Sequence, residues 1–463
     1  MDRIKSIFAP AKATEEEYEP LTDDSGTLEG SVYDEDEEES FSWLEYSIFA
    51  VIGVAMLWAW NMFLAAAPYF QTRFESDEFL MQTSQSAIIS VSTISNLVAM
   101  YILTNIQSSA NYAFRINTAL FLNVGIFGLL AVSTSYFVDI SPSSYLAFLL
   151  VMVGLSALAC GLMQNGAFAY AASFGRPEYT QAIMAGQGVA GILPPLAQML
   201  SFLAVPPPTV DPEASPGGSP PAEAGKAAFI YFMAAVLVSA AAIFAFVPLT
   251  RRHDRLIERR MAQQLAESVT SIEEAERAAR RFVSIPTLFR KLHWVAASVF
   301  MCFVVTMFFP VFTAKILSVR DGGGEADTTP PRLFAPGAFI PLGFFFWNLG
   351  DLLGRMSTIL PFSLRHRPSA LFAISIARVL FLPLYLLCNI RGRGAVVNSD
   401  LFYLLLVELP FGLTNGWLAS NAMMAAGEWV ADSEREAAGS FMGMCLVAGL
   451  TVGSLLSFTV AGI

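Results

Sequence analysis

Residues 339–360 read FIPLGFFFWNLGDLLGRMSTIL. The stretch is long and apolar enough to cross a bilayer, yet it carries Asn348, Asp351 and Arg355. Offsets of three and four place all three side chains on one helical face. An isolated charge at membrane depth costs about 3 kcal/mol or more. Two opposite charges one turn apart offset much of that cost for each other. They then present a carboxylate acceptor beside a guanidinium fork to any small polar molecule that enters. Ionisable groups inside a membrane mark function by default. The competing reading is that the pair only locks two helices together.

The rest of the chain supports the membrane reading. Of 463 residues, 55% are hydrophobic and 14% charged, against about 25% charged in a soluble protein. Apolar runs recur at about Ser47–Tyr69, Ala87–Leu103, Asn117–Phe137, Tyr145–Ala172, Gln181–Leu203 and Ala227–Pro248. After a break they resume at His293–Phe312, Phe339–Leu360, Ala370–Asn389, Leu401–Met424 and Gly439–Ala461. The expected fold is an all-α polytopic membrane protein with eleven transmembrane helices. The domain reading is an acidic disordered tail (1–45), a six-helix bundle (46–249), a charged and partly helical linker (250–291) and a five-helix bundle (292–463). Two bundles joined by a long loop suit a rocking transporter with its cargo held between them.

Charge sets the expected orientation. With the N-terminus inside, the inner loops hold Arg115, Arg176, the arginines of 251–281, Arg290, Lys291, Arg365, Arg367 and Arg435. The outer loops hold only Arg73, Lys226, Lys315, Arg320, Arg332, Arg391 and Arg393. Tail and linker are therefore expected in the cytosol. The net charge of −12 comes mostly from the tail and is no nucleic-acid signal. Tyr18–Leu21 (YEPL) has the form of a tyrosine-based signal for a sorting adaptor, although a four-residue pattern arises more often by chance; with the acidic tail it leans toward an acidic internal compartment, vacuolar or lysosomal, with the plasma membrane as the alternative. The cysteines (160, 302, 388, 445) sit in apolar runs at unrelated spacings, without a metal or disulfide pattern. No histidine lies in a buried catalytic constellation, which argues against an enzyme or a cofactor site.

Other polar or unusual residues interrupt the apolar runs. Trp60 offers a flat face for an aromatic ligand, beside Asn61. Gln164 and Asn165 follow Cys160 and Gly161; an amide that donates and accepts suits a nucleobase edge, or glues helices together. Gly186, Gly188 and Gly191 remove side chains where helices approach closely. Pro194 and Pro195 are expected to kink or break the fifth span. Phe309 precedes Pro310 and either lines a cavity or packs. Arg378 needs a partner at depth, and Glu408 is the candidate for a structural ion pair.

These stretches together resemble the equilibrative nucleoside transporter family. The resemblance rests on WN at Trp60–Asn61, QNG at Gln164–Gly166, GQGVAG at Gly186–Gly191 and FP at Phe309–Pro310. It continues through WNLGDLLGR (347–355), ARVLFLPLYLLCN (377–389), NGWLAS (415–420) and the glycine-spaced eleventh span. It implies an MFS-like fold and passive, alternating-access transport of nucleosides, purine or pyrimidine, and sometimes nucleobases. By motif match, Asp351 and Arg355 hold the ribose hydroxyls, Gln164 faces the base and Trp60 forms part of the base pocket. Leu57, Leu64, Phe309, Phe344, Asn348 and Leu450 line the cavity. Cys160 stands where relatives often have Gly, and Trp347 where Phe is more usual. The alternative within the same fold is a proton-coupled carrier titrating Asp351 or Glu408, or a carrier of another small polar solute.

Overall fold

The computed structural model describes residues 41–106, 111–137, 140–204, 221–267, 283–320, 332–361 and 363–460. The acidic stretch up to residue 40, Tyr18–Leu21, most of the 205–225 loop and residues 268–282 of the linker lie outside them.

Among the described residues, eleven helices are long and apolar enough to cross a membrane, as the sequence reading expects. They are α1 (Trp43–Phe74), α2 (Thr83–Asn105), α3 (Tyr112–Tyr136), α4 (Pro142–Ser173), α5 (Pro177–Ala204) and α6 (Gly225–Arg252). The set continues with α7 (Ile285–Thr313), α8 (Pro336–Ser357), α9 (Pro368–Tyr385), α10 (Phe402–Glu428) and α11 (Asp432–Val460). The helix of α6 runs on without interruption to Glu267, so the first part of the linker is helical. Short polar side chains start several helices by capping free N–H groups: Asp77 accepts from Leu80 N at 3.1 Å and Asn111 from Phe114 N at 2.9 Å. Proline occupies the first turn of α4, α8 and α9, where no N–H bond is lost.

Prolines also mark where helices change pitch. α1 breaks at Ala66, just before Pro68, and α7 breaks after Thr306, ahead of Pro310. α9 passes through a 3₁₀ turn at Arg378–Leu380 ahead of Pro383, and α10 opens as a π-helix, Phe402–Glu408, ahead of Pro410. Pro194 and Pro195 do not break α5, which stays helical from Pro177 to Ala204.

The buried apolar side chains form three clusters. One, at the end of the molecule where α1 begins, draws on α1, α3, α4 and α5 together with α7, α10 and α11. At the opposite end the core divides. One cluster joins the far halves of α1, α3, α4 and α6, and the other joins α7, α8, α9 and α10. The first six and last five helices thus share a core at one end and keep separate cores at the other.

Glycines set the closest helix contacts. On α8 a Cβ at Gly350 or Gly354 would run into the carbonyls of Leu409 and Leu413 on α10. On α10 a Cβ at Gly412 or Gly416 would run into the carbonyls of Trp347 and Asp351. The two GxxxG pairs interlock and let the backbones touch. Gly186 does the same between α5 and α1, against Ala50, while Gly188 and Gly191 admit Leu352 and Asn348 of α8. These are the close approaches expected for the three α5 glycines. Gly416→Ala should therefore cost about 1–3 kcal/mol by overpacking and lower the melting temperature in detergent, whereas Gly128→Ala, with nothing within 4 Å, should leave it unchanged. Fluorescence-detected thermal shift measures both.

Candidate functional site

The zipper carries Asp351 and Arg355 into the middle of the helix packing, where they are 3% and 5% exposed. Arg355 Nε donates to Asp351 Oδ2 at 2.7 Å. Asp351 Oδ1 accepts from Asn415 Nδ2 of α10, also at 2.7 Å. Arg355 Nη1 donates to Met184 O at 2.8 Å and Gln187 Oε1 at 3.2 Å, both on α5. Gln187 Nε2 lies 2.9 Å from Met56 Sδ on α1. Below the pair, Gln181 Nε2 donates to the Arg355 carbonyl at 3.1 Å while its Oε1 accepts from Tyr46 at 2.7 Å. A buried ion pair is tolerable when further hydrogen bonds satisfy its remaining atoms. Here those bonds tie α8 to α5 and α10, and through α5 to α1.

One turn nearer the divided end, Asn348 is half-buried. Its Nδ2 donates to Phe344 O at 2.8 Å and its Oδ1 rests against Gly191. Phe309 stacks flat on Trp347 at 3.9 Å and meets Phe344 edge-on at 5.5 Å. Phe309, Phe344 and Asn348 therefore gather beside the ion pair, with Trp347 added to them. The indole N–H of Trp347 has no partner among the described residues.

The remaining expected site residues have partners other than the ion pair. Trp60 and Leu64 line a groove of about 30 Å³ with Gln71, Ser84 and Gln85. Asn61 Nδ2 donates to Ala190 O at 2.8 Å, tying α1 to α5. Leu57 is half-buried, and Leu450 packs against the shared core. Gln164 is buried on α4 near Gly443 of α11, and its Oε1 has no partner among the described residues. None of these six makes a described hydrogen bond to Asp351 or Arg355. A second cavity, about 70 Å³, lies between the α4–α5 turn and the α10–α11 turn, with Arg176, Glu428 and Arg435 in its wall.

The expected pairing of Arg378 with Glu408 does not form. Arg378, 1% exposed, donates to Cys302 O at 2.7 Å, Thr306 Oγ1 at 3.2 Å and Phe411 O at 3.3 Å. Glu408, 0% exposed, accepts from Thr313 at 2.5 Å and Tyr385 at 2.8 Å. Phe411 packs under the guanidinium and Tyr385 packs edge-on against Phe411, so aromatic rings intervene. Carbonyls and hydroxyls replace the opposite charge. Sequence reading also missed Asn415, Gln181 and Gln187. Each lies in a stretch that draws attention, GLTNG or the run TQAIMAGQG, but no spacing rule says which amide meets which charge.

A profile of the family described as nucleoside transporter matches residues 150–461. The chain belongs to the nucleoside transporter family. This transporter is 28% identical over 456 residues to "Nucleoside transporter FUN26" of Saccharomyces cerevisiae, covering 90% of this chain and 83% of that one. It is 26% identical to human "Equilibrative nucleoside transporter 2" and 24% to human "Equilibrative nucleoside transporter 1", covering 89% of this chain and 95% of each relative. Its fold is that of the major facilitator superfamily. The outward conformation of FucP aligns with a TM-score of 0.51 at 16% identity, over 90% of this chain and 96% of that one. The proton:xylose symporter XylE aligns with a TM-score of 0.55 at 10% identity, over 89% and 87%.

An unpaired buried acceptor costs about 1–3 kcal/mol. Gln164→Leu should therefore raise the thermal stability of the detergent-solubilised transporter, as read by the same melting assay; a lower melting temperature would show that the amide is a structural link.

Proposed function

We propose that this transporter moves nucleosides down their gradient by alternating access, with Asp351 and Arg355 holding the sugar hydroxyls. The observation that carries the reading is the buried ion pair on α8, bonded to α5 across the junction between the first six and last five helices. A nucleoside is half flat aromatic and half polyol. The Phe309–Trp347–Phe344 group and the unpaired Gln164 carbonyl suit the first half, and the ion pair suits the second. On this reading Trp60, Leu57, Leu64, Asn61, Asn348 and Leu450 line the rest of the cargo path.

On this reading residues 46–249 and 292–463 move as two bundles about the shared core, with 250–291 as their cytosolic connection. The divided end faces away from the cytosol, because the basic residues concentrate at the other. The acidic tail and YEPL fit residence in an acidic internal membrane. The apolar exterior of the helices meets the lipid bilayer, and no nucleic acid is bound.

Labelled uridine and adenosine flux in proteoliposomes tests the reading. Wild-type vesicles should equilibrate both, and an imposed pH gradient should not push accumulation past equilibrium; accumulation would establish the proton-coupled alternative instead. Asp351→Asn and Arg355→Ala each strip a buried charge of its partner and should cut flux about tenfold or more. Undiminished flux in both would exclude the ion pair as the sugar site.

A further inference from the structure

We propose that Asn415 is a positioning residue that sets the Asp351 carboxylate for its cargo, and that Cys302, Thr306 and Arg378 hold Asn415 in place. The inference rests on the nucleoside reading of the same site. A carboxylate turns easily about its last torsion, and a guanidinium fork readily takes both of its oxygens. An Asp351 gripped that way would take its orientation from Arg355 alone. The structure shows another arrangement. Asn415 Nδ2 occupies Oδ1 at 2.7 Å and Arg355 Nε occupies Oδ2 at 2.7 Å. An ionised carboxylate has about four acceptor positions, so each oxygen keeps capacity for a hydroxyl.

The amide of Asn415 is fixed from its other side. Its Oδ1 accepts from Thr306 Oγ1 at 2.6 Å and from Cys302 Sγ at 3.2 Å. A flipped amide would set its oxygen against the Asp351 carboxylate and lose the bond to Oδ1. Thr306 and Cys302 are held in turn by Arg378, whose Nη2 donates to Thr306 Oγ1 at 3.2 Å and whose Nη1 donates to Cys302 O and Sγ at 2.7 and 3.1 Å. The backbone has no slack either, because Gly416 lies directly against the Asp351 carbonyl. Asp351 is thus oriented by a chain of groups from α10, α7 and α9 that sits on the side away from Arg355. This assigns a task to the buried, carboxylate-free Arg378.

The test compares uridine with 2′,3′-dideoxyuridine, which lacks the hydroxyls, in proteoliposomes carrying wild type, Asn415→Ala, or the double variant Cys302→Ala, Thr306→Val. Loss of one such bond should raise KM for uridine about tenfold in Asn415→Ala, with maximal flux retained. KM for the dideoxynucleoside should change by less than about twofold. The double variant should move in the same selective direction by a smaller factor, and it decides the matter if Asn415→Ala does not reach the membrane. Equal rises for both nucleosides would assign Asn415 a structural role and overturn the inference. So would an unchanged KM for uridine. Wild-type vesicles that carry neither nucleoside would overturn it together with the nucleoside reading.

Discussion

The interlocking glycines of α8 and α10 are the constraint on which the centre of this transporter depends. Gly350 and Gly354 on one helix, Gly412 and Gly416 on the other, bring backbone against backbone. Only at that separation does the short side chain of Asn415 reach Asp351. Without the amide, the charge pair would rest on α5 and on itself. The apolar surroundings make such a pair expensive, so the zipper and the polar network stand or fall together. The packing gives the charges their partners, and the partners help the packing outweigh the cost of burying them.

Architecture was legible in the sequence because membrane helices announce themselves by length and apolarity. All eleven spans are present, with ends displaced by a few residues where caps such as Asp77 and Asn111 extend the helix beyond its apolar run. The Asp351–Arg355 pair was legible for a similar reason, since one turn of a single helix fixes their separation. Contacts between helices were not. Arg378 and Glu408 lie at comparable depth and carry opposite charge, yet aromatic rings intervene and each takes neutral partners. The paired GxxxG spacings of α8 and α10 are visible in the sequence, but spacing alone does not say which two helices they join. Trp60 and Gln164 stand out as odd residues in apolar runs, yet neither makes a described hydrogen bond to the charge pair, and no local pattern supplies the register of their helices.

Three of the buried charges, Asp351, Arg355 and Arg378, form a set rather than isolated exceptions. Arg355 faces α5, Asp351 faces α10, and Arg378 faces α7, each side chain reaching a different neighbour of the same group. Where a carboxylate is absent, the carbonyls of Cys302 and Phe411 and the Thr306 hydroxyl supply the acceptors. Helix irregularity at membrane depth is tolerated where protein groups take up the loosened backbone. The break in α9 begins at Arg378, and the π-helical opening of α10 ends at Glu408.

The distribution of the apolar cores bears on what drives the transport cycle. The shared core is built largely of alanine, phenylalanine, leucine and methionine, and contact among such groups has no direction and no fixed partner. Separating it at one end while the two far cores come together trades like for like. On the proposed cycle the two ends behave as arms of a balance, and the gradient of the cargo decides which way the net traffic runs.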